Sequence, residues 1–333
     1  MRRLLPSILL GILAGCADSG EQAKDKVDGP LAAIFNEEAP EATAEPPPLN
    51  DYLDFRKHGS TLYAKGDLDE ALRMFTISLD LKEDAKTYVA RGNAFMAMNE
   101  LDKALADFDK AVALEPLEAS PLVNRGLLLH KMGKAAEGIE ALTQAQKLDP
   151  KDATILLNRG LLHADIGMID LAIEDYTQAI ALDPNDPDLY IDRGSALYGK
   201  KRYSAAIDDF NAALRLSPKN AIAIGNRGNA YTQVGEFDKA IADLNEAIRL
   251  DDRDPQKFNN RGSAWGAKGD HARAAEDFTH ALQLAPGFTA ALRNRGQAYH
   301  ALGDRQQAAD DFAAALSREP GVRDGIPAEY LPK

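Results

Sequence analysis

The chain has 333 residues, 45% of them apolar and 27% charged, a composition that excludes a wholly disordered chain and a multi-span membrane protein. Lys and Arg number 39 against 52 Asp and Glu, a net charge of -13, which argues against a protein that tracks a nucleic-acid backbone, because phosphate binding needs a cationic footprint. The single cysteine excludes an intrachain disulfide framework or a multi-cysteine metal site, while alanine-rich stretches and only 7% aromatics favour helices over sheets.

Residues 1–15 read as a secretion signal: Arg2-Arg3, an apolar stretch from Leu4 to Leu13, and small Ala14-Gly15 ahead of Cys16. The stretch is shorter than the roughly 20 apolar residues that span a bilayer. Leu13-Ala14-Gly15-Cys16 resembles the bacterial lipobox. The resemblance implies cleavage before Cys16, lipidation of Cys16, and a periplasm-facing envelope protein. Ala17 rather than an aspartate follows the cysteine, which in that family favours the outer membrane. An ordinary signal peptide with a cysteine near its cleavage region is the other reading.

Residues 16–50 hold that cysteine and an acidic, proline-rich tether, in which eight acidic residues face only Lys24 and Lys26 and the run ends Pro46-Pro47-Pro48. A flexible coil of this length spans on the order of 30 to 35 Å, so it lets the rest of the chain stand off a membrane. Pro30 to Phe35 forms an apolar island within it, either a short docking helix or plain linker.

From residue 51 the sequence repeats. Arg-Gly recurs at 91-92, 125-126, 159-160, 193-194, 227-228, 261-262 and 295-296, a step of 34 residues, and His58-Gly59 precedes them by 33. Setting the glycine at repeat position 8 gives units 52–84, 85–118, 119–152, 153–186, 187–220, 221–254, 255–288 and 289–322 within a domain 51–322, followed by 323–333. Each unit predicts two helices. In 187–220 the second helix shows the stripe Ala206, Phe210, Ala213, Leu214 and Leu216, and Pro218 stops it. Gly133, Gly167, Gly235, Gly269 and Gly303 fall between the helices, where a left-handed turn favours glycine. Small Ala104, Ala172, Ala240, Ala274 and Ala308 let the helices approach. Unit 119–152 has Gly138 at that alanine position and Gln146 at an apolar one, and is expected to be the softest, since glycine inside a helix costs about 1 kcal/mol relative to alanine.

Sixteen residues after each arginine stands an aspartate. Arg91 matches Asp107, Arg159 Asp175, Arg193 Asp209, Arg227 Asp243, Arg261 Asp277 and Arg295 Asp311, whereas Arg125 faces Ala141. In a pair of antiparallel helices these positions meet, which predicts a ladder of structural ion pairs rather than a set of anion ligands, with Arg125 left without its partner.

The period and the small residues resemble the tetratricopeptide repeat over 52–322. The resemblance implies an all-α fold, a right-handed superhelical solenoid of about eight helix-turn-helix units, with a concave groove lined by first-helix positions 2, 5, 9 and 12. On that basis the partner-binding groove comprises Val89, Asn93, Met96, Val123, Leu127, His130, Leu157, Leu161, Ile191, Tyr198, Asn229, Asn259, Arg293 and His300. Its first half is apolar, suited to an apolar helix or extended peptide, unless the Pro30–Phe35 island or the curvature covers it. The Lys, Asn and Arg clamp by which some family members hold a C-terminal carboxylate is absent, since Val89, Val123, Leu157 and Ile191 occupy the relevant positions.

Chemistry is hard to place. His58, His130, His163, His271, His280 and His300 show no metal-ligand spacing, adjacent acids such as Asp208-Asp209 point in different directions on a helix, and the glycines follow the period of the repeats at the Arg-Gly and inter-helix positions rather than clustering, so no phosphate loop is expected. No cofactor, metal or catalytic residue is expected. Lys200-Lys201-Arg202 reads as a solvated turn. The expected function is a non-enzymatic interaction scaffold, a lipid-anchored protein that recruits or assembles other envelope proteins. The alternatives are a spacer that self-associates through the solenoid ends, with Ile326, Tyr330 and Leu331 either folding back near Phe312 and Leu316 or pairing with another chain, and an adaptor subunit of an envelope enzyme.

Overall fold

The computed structural model describes residues 51–331; the signal, Cys16, the acidic tether and the Pro30–Phe35 island lie outside them. The described residues form sixteen α-helices and one 3-10 turn, with no strand among them. They fall into two compact units, 51–184 and 185–331. The first unit holds α1 (Tyr52–Lys65), α2 (Leu68–Leu81), α3 (Ala85–Ala97), α4 (Leu101–Leu114), α5 (Ala119–Lys131), α6 (Ala135–Leu148), α7 (Ala153–Asp165) and α8 (Ile169–Leu182). The second holds α9 (Pro187–Gly199), α10 (Tyr203–Leu216), α11 (Ala221–Gln233), α12 (Phe237–Leu250), α13 (Pro255–Lys268), α14 (His271–Leu284), α15 (Thr289–Leu302) and α16 (Arg305–Arg318), then the 3-10 turn Ala328–Tyr330. Odd-numbered helices are the first of each repeat and even-numbered ones the second. Each unit is all-α, a stack of four helix-turn-helix repeats.

Local chemistry sets the helix ends. Asp51, Asp84, Asp152, Asp186, Asn220 and Asp254 stand before first helices, and their side chains accept from first-turn N–H groups that a helix start leaves without intrahelical partners. Between the helices of a repeat the chain passes through a left-handed residue, at Gly66, Gly133, Gly167, Gly235, Gly269 and Gly303. Asn99 and Lys201 adopt the same conformation with a side chain, and the Lys200-Lys201-Arg202 turn is exposed.

The glycine of the Arg-Gly pair is required by packing. A methyl group added at Gly92 would meet the Phe108 ring at 2.6 Å, and one at Gly194 the Phe210 ring at 2.8 Å. Both rings are fully buried, as are Ala104, Ala172, Ala240, Ala274 and Ala308, the small residues one turn earlier in the second helices of their repeats. In these repeats the second helix thus packs an aromatic directly against bare first-helix backbone.

Repeat 119–152 solves the same problem differently. Its second helix carries Gly138, where a Cβ would meet the Gly126 carbonyl oxygen at 2.7 Å and Leu162 Cδ2 at 2.9 Å. Leu142 and Leu162, which share a core cluster beside it, are fully buried. The low helix propensity of Gly138 remains, but its missing side chain leaves no gap, because Leu162 fills the place and the two backbones close up. Gly138→Ala is therefore expected to destabilise: overpacking against backbone costs about 1–3 kcal/mol, more than the gain of roughly 1 kcal/mol in helix propensity. A raised urea midpoint for this variant would contradict the packing account.

Beyond α16 the chain folds back. Ile326 is buried against Ala308 and Phe312, with Tyr299, Leu316, Tyr330 and Leu331 packed around them. The Tyr330 ring lies 5.0 Å from that of Phe312, and Gln297 Nε2 donates to the Gly325 carbonyl oxygen at 2.8 Å. In the preceding repeats this place belongs to the next first helix: Ala264 packs on Ala240, Ile241 and Leu244, and Ala298 on Ala274, Ala275 and Phe278. Ile326 takes the part of Ala264 and Ala298 without a helix to carry it.

Candidate interaction face

The arginines are structural first. Arg91 grips Asp107 with Nε and Nη2, both at 2.8 Å. Arg193 and Asp209, Arg227 and Asp243, Arg261 and Asp277, and Arg295 and Asp311 form the same two-pronged pair at 2.6 to 2.8 Å. The side-chain hydrogen bond to the aspartate is the largest influence on Arg91, Arg193, Arg227 and Arg295 and raises each guanidinium above its ordinary pKa, so these groups stay charged at any working pH. Arg159 and Asp175 add a third member: His163 Nδ1 lies 2.9 Å from Asp175 Oδ2, and Asp175 and His163 are both buried. His163 stands where other repeats have Phe95, Tyr231, Trp265 and Tyr299.

Two features of this ladder differ from the sequence expectation. Arg125 is not left without a partner, because its Nε bonds Asp109 Oδ1 of the preceding repeat at 2.6 Å. That bond belongs to a second series. The Nη1 of Arg91 reaches back to Thr76, of Arg159 to Thr143, of Arg227 to Asn211, of Arg261 to Asn245 and of Arg295 to Thr279. Each of these arginines therefore ties its own repeat to the one before.

The expected apolar groove is largely core. Met96 packs on Ala104, Phe108 and Leu128, Val123 on Leu122, Leu142 and Ile155, and Ile191 on Ala213 and Ala223, while Leu157 is 2% exposed. These four do not offer a partner an apolar strip, for Val123, Leu157, Ile191 and Met96 lie deep enough between helices to be consumed by packing. Val89, Leu127 and Leu161 are half-buried, with Val89 and Leu127 also leaning on core clusters. Asn93 and Asn259 are buried. His130 Nδ1 is 3.8 Å from Asp165. Tyr198 meets Tyr203 edge to face at 5.2 Å, Asn229 is half-buried, and Arg293 is half-buried with its Nε shielded and given no hydrogen-bond acceptor. His300 is exposed and faces the Tyr330 hydroxyl at 3.2 Å and Glu329 at 3.7 Å.

Reading only Arg-Gly missed the residue before it. Asn124, Asn158, Asn226, Asn260 and Asn294 each precede the arginine, and the triplet Asn-Arg-Gly, five times over, was the available signal. Their side chains lie along the first helices. Asn226 donates to Ser195 Oγ of the previous first helix at 3.3 Å, and Asn294 to Asn259 Oδ1 at 3.0 Å. Asn158 is 2% exposed and its Nδ2 finds no acceptor among the described residues. A primary amide offers both a donor and an acceptor, the pair of functions that a peptide backbone complements.

Among the described residues no group of three or more His, Cys, Asp or Glu is placed to hold a metal ion, and no helix is long and apolar enough to cross a membrane.

Models described as tetratricopeptide repeat match residues 85–116, 123–187, 157–221, 191–258, 225–287 and 289–322. The chain spans about half the length of the curated relatives it matches. The photosystem I assembly protein Ycf3 of Synechococcus sp. (strain WH7803) is 33% identical over 87 residues, 25% of this chain and 50% of that protein. Among solved structures, a tetratricopeptide repeat protein from Parabacteroides merdae ATCC 43184 is 24% identical with a TM-score of 0.60, covering 74% of this chain and 97% of the other. PilW, described as a widely conserved type IV pilus biogenesis factor, is 20% identical with a TM-score of 0.57, covering 62% of this chain and 96% of its own. At these identities the structural likeness is one of fold.

Proposed function

The chain belongs to the tetratricopeptide repeat family, and from that premise we propose that it is a non-enzymatic scaffold that holds other proteins by extended peptide segments laid along the first-helix faces. Proteins of this repeat family act as interaction scaffolds. The observation that carries the peptide reading is the recurring asparagine, one per Asn-Arg-Gly triplet, at Asn124 and Asn158 in the first unit and Asn226, Asn260 and Asn294 in the second, with Asn158 Nδ2 buried and without an acceptor. A buried polar group left unpaired costs about 1–3 kcal/mol, and a backbone carbonyl of a bound segment would supply what is missing. Because such contacts read backbone, side-chain specificity must come from elsewhere on the face. The buried state of Met96, Val123, Leu157 and Ile191 turns the reading away from an apolar helix as partner.

The finer proposal is an assembly role at a bacterial envelope. Cys16, in its lipobox-like setting, is the lipidation site; cleavage before it leaves the acidic tether to carry the repeats from an outer-membrane surface into the periplasm. Two acyl chains are enough for stable anchoring where one is marginal. That curated relatives are named as assembly proteins is in keeping with such a role. The spacer alternative is weakened by Ile326, which covers the apolar side of the eighth repeat from within the chain.

Photo-crosslinking in cells tests the scaffold. A crosslinking residue at Leu161 is expected to capture a partner that one at exposed Glu174 on α8 does not, and equal capture from both would sink the face assignment. Cys16→Ser should move the protein from the membrane to the soluble fraction; unchanged fractionation would refute lipid anchoring.

A further inference from the structure

A cavity of about 230 Å³ opens in the second unit between α13, α14 and α15. It exists because Gly266 stands at the first-helix position that earlier repeats fill with Met96, His130, Ala164, Tyr198 and Thr232. A Cβ at Gly266 would meet only Ala274 Cβ, at 3.7 Å, an ordinary contact. The floor is apolar, made by Ala274, Phe278 and Ala298, all buried.

The lining also contains Ser263, Asn294 and Gln297, and their hydrogen bonds leave a pattern. The Ser263 hydroxyl donates to the Asn259 carbonyl at 2.9 Å, Asn294 Nδ2 to Asn259 Oδ1 at 3.0 Å, and Gln297 Nε2 to the Gly325 carbonyl at 2.8 Å. Each spends a proton inside the protein, and no described residue is seen to donate to Ser263 Oγ, Asn294 Oδ1 or Gln297 Oε1. Gly325 is fixed in this arrangement: its φ is +77°, and a side chain there would run into Gln297. The cavity thus pairs an apolar floor with oxygen acceptors that are already oriented.

We propose that this cavity is a socket for one apolar side chain, leucine, methionine or phenylalanine, of an extended peptide whose backbone N–H groups donate to Ser263, Asn294 and Gln297. The floor matches a side chain without polar atoms, and the acceptors match the donors at its base. His271 also lines the cavity but no acidic, lysine or arginine side chain does, so an acidic side chain would set its oxygens against those of Ser263, Asn294 and Gln297 and lose hydration for little return. Proline, lacking the N–H, is excluded by the same acceptors. The inference rests on the scaffold reading and gives it a specificity element, which the backbone-reading asparagines lack.

The test titrates the isotope-labelled full chain with N-acetyl-L-phenylalaninamide and follows amide chemical shifts. Saturable shifts confined to residues 259–298 and to Gly325 are expected, with binding at least fivefold weaker for N-acetyl-L-alaninamide, which lacks the side chain, and for the probe methylated on its acetyl-amide nitrogen, which lacks the donor. Gly266→Met fills the socket as Met96 fills the matching place, and should abolish binding while the helical spectrum is retained. Asn294→Ala keeps the cavity, removes one acceptor, and should weaken binding at least threefold. Shifts outside residues 259–298 and 325, or binding undiminished in both variants, overturn the socket. If the probe fails to bind while the Leu161 crosslink persists in cells, the socket falls alone; if both fail, the scaffold reading falls with it.

Discussion

Asp175→Ala will destabilise the protein by about 3 kcal/mol or more, the range seen when one partner of a buried ion pair is removed and the other is left uncompensated. Arg159 retains 15% side-chain exposure and His163 11%, so neither can rehydrate in place, and both depend on one carboxylate. Asp109→Ala removes the acid that holds Arg125, but there the partners are 52% and 31% exposed. Its expected effect is about 0–1 kcal/mol, as for exposed pairs. His163→Phe, which restores the ring type of neighbouring repeats and leaves the Arg159 contact standing, should fall between them. Urea unfolding followed by far-ultraviolet dichroism measures all three. An Asp175→Ala midpoint within error of Asp109→Ala would show that the ladder is decoration.

Ile326→Asp should detach the segment that covers α16. A buried isoleucine side chain contributes about 1.5–3 kcal/mol, and each 1.4 kcal/mol is a factor of ten in an opening equilibrium. Amide protection in α16 is therefore expected to fall by roughly ten- to hundredfold, while protection in α11 and α12 stays put, because repeats couple mainly to their neighbours. The same variant exposes Ala308, Phe312 and Leu316, and sedimentation velocity should show concentration-dependent association absent from the wild type. A monomer in both proteins removes the end-to-end spacer as a function.

The repeat borders, the helix pairs, the left-handed glycines and the arginine partners sixteen residues ahead are legible in the sequence because each is a recurrence at fixed spacing, and spacing along a helix determines which side chains meet. Depth is not encoded in that way. Whether Val123 or Leu157 faces a partner or the core depends on how far two first helices interpenetrate, a distance set by the sum of all side chains between them. The backward contacts of the arginines were equally hidden. Thr76, Thr143, Asn211, Asn245 and Thr279 recur with the period, but a small polar residue on a helix surface is the commonest of choices and carries no mark of its task. Gly138 shows a third limit: helix propensity predicts a weakness, and only the neighbouring Leu162 reveals that the vacancy is occupied.

The backward reach of the arginines bears on how such a chain can change length. Arg261 bonds Asn245, and Arg227 bonds Asn211. If residues 221–254 were excised, Arg261 would arrive opposite Asn211, the same side chain at the same relative position, and its own Asp277 would travel with it. That contact closes as it did before, although Lys268 would meet Ser204 in place of Asp238. At this contact, gene segments of one period can be lost or duplicated without a compensating substitution, so the arginine tie places no bar on a change in the number of units by recombination.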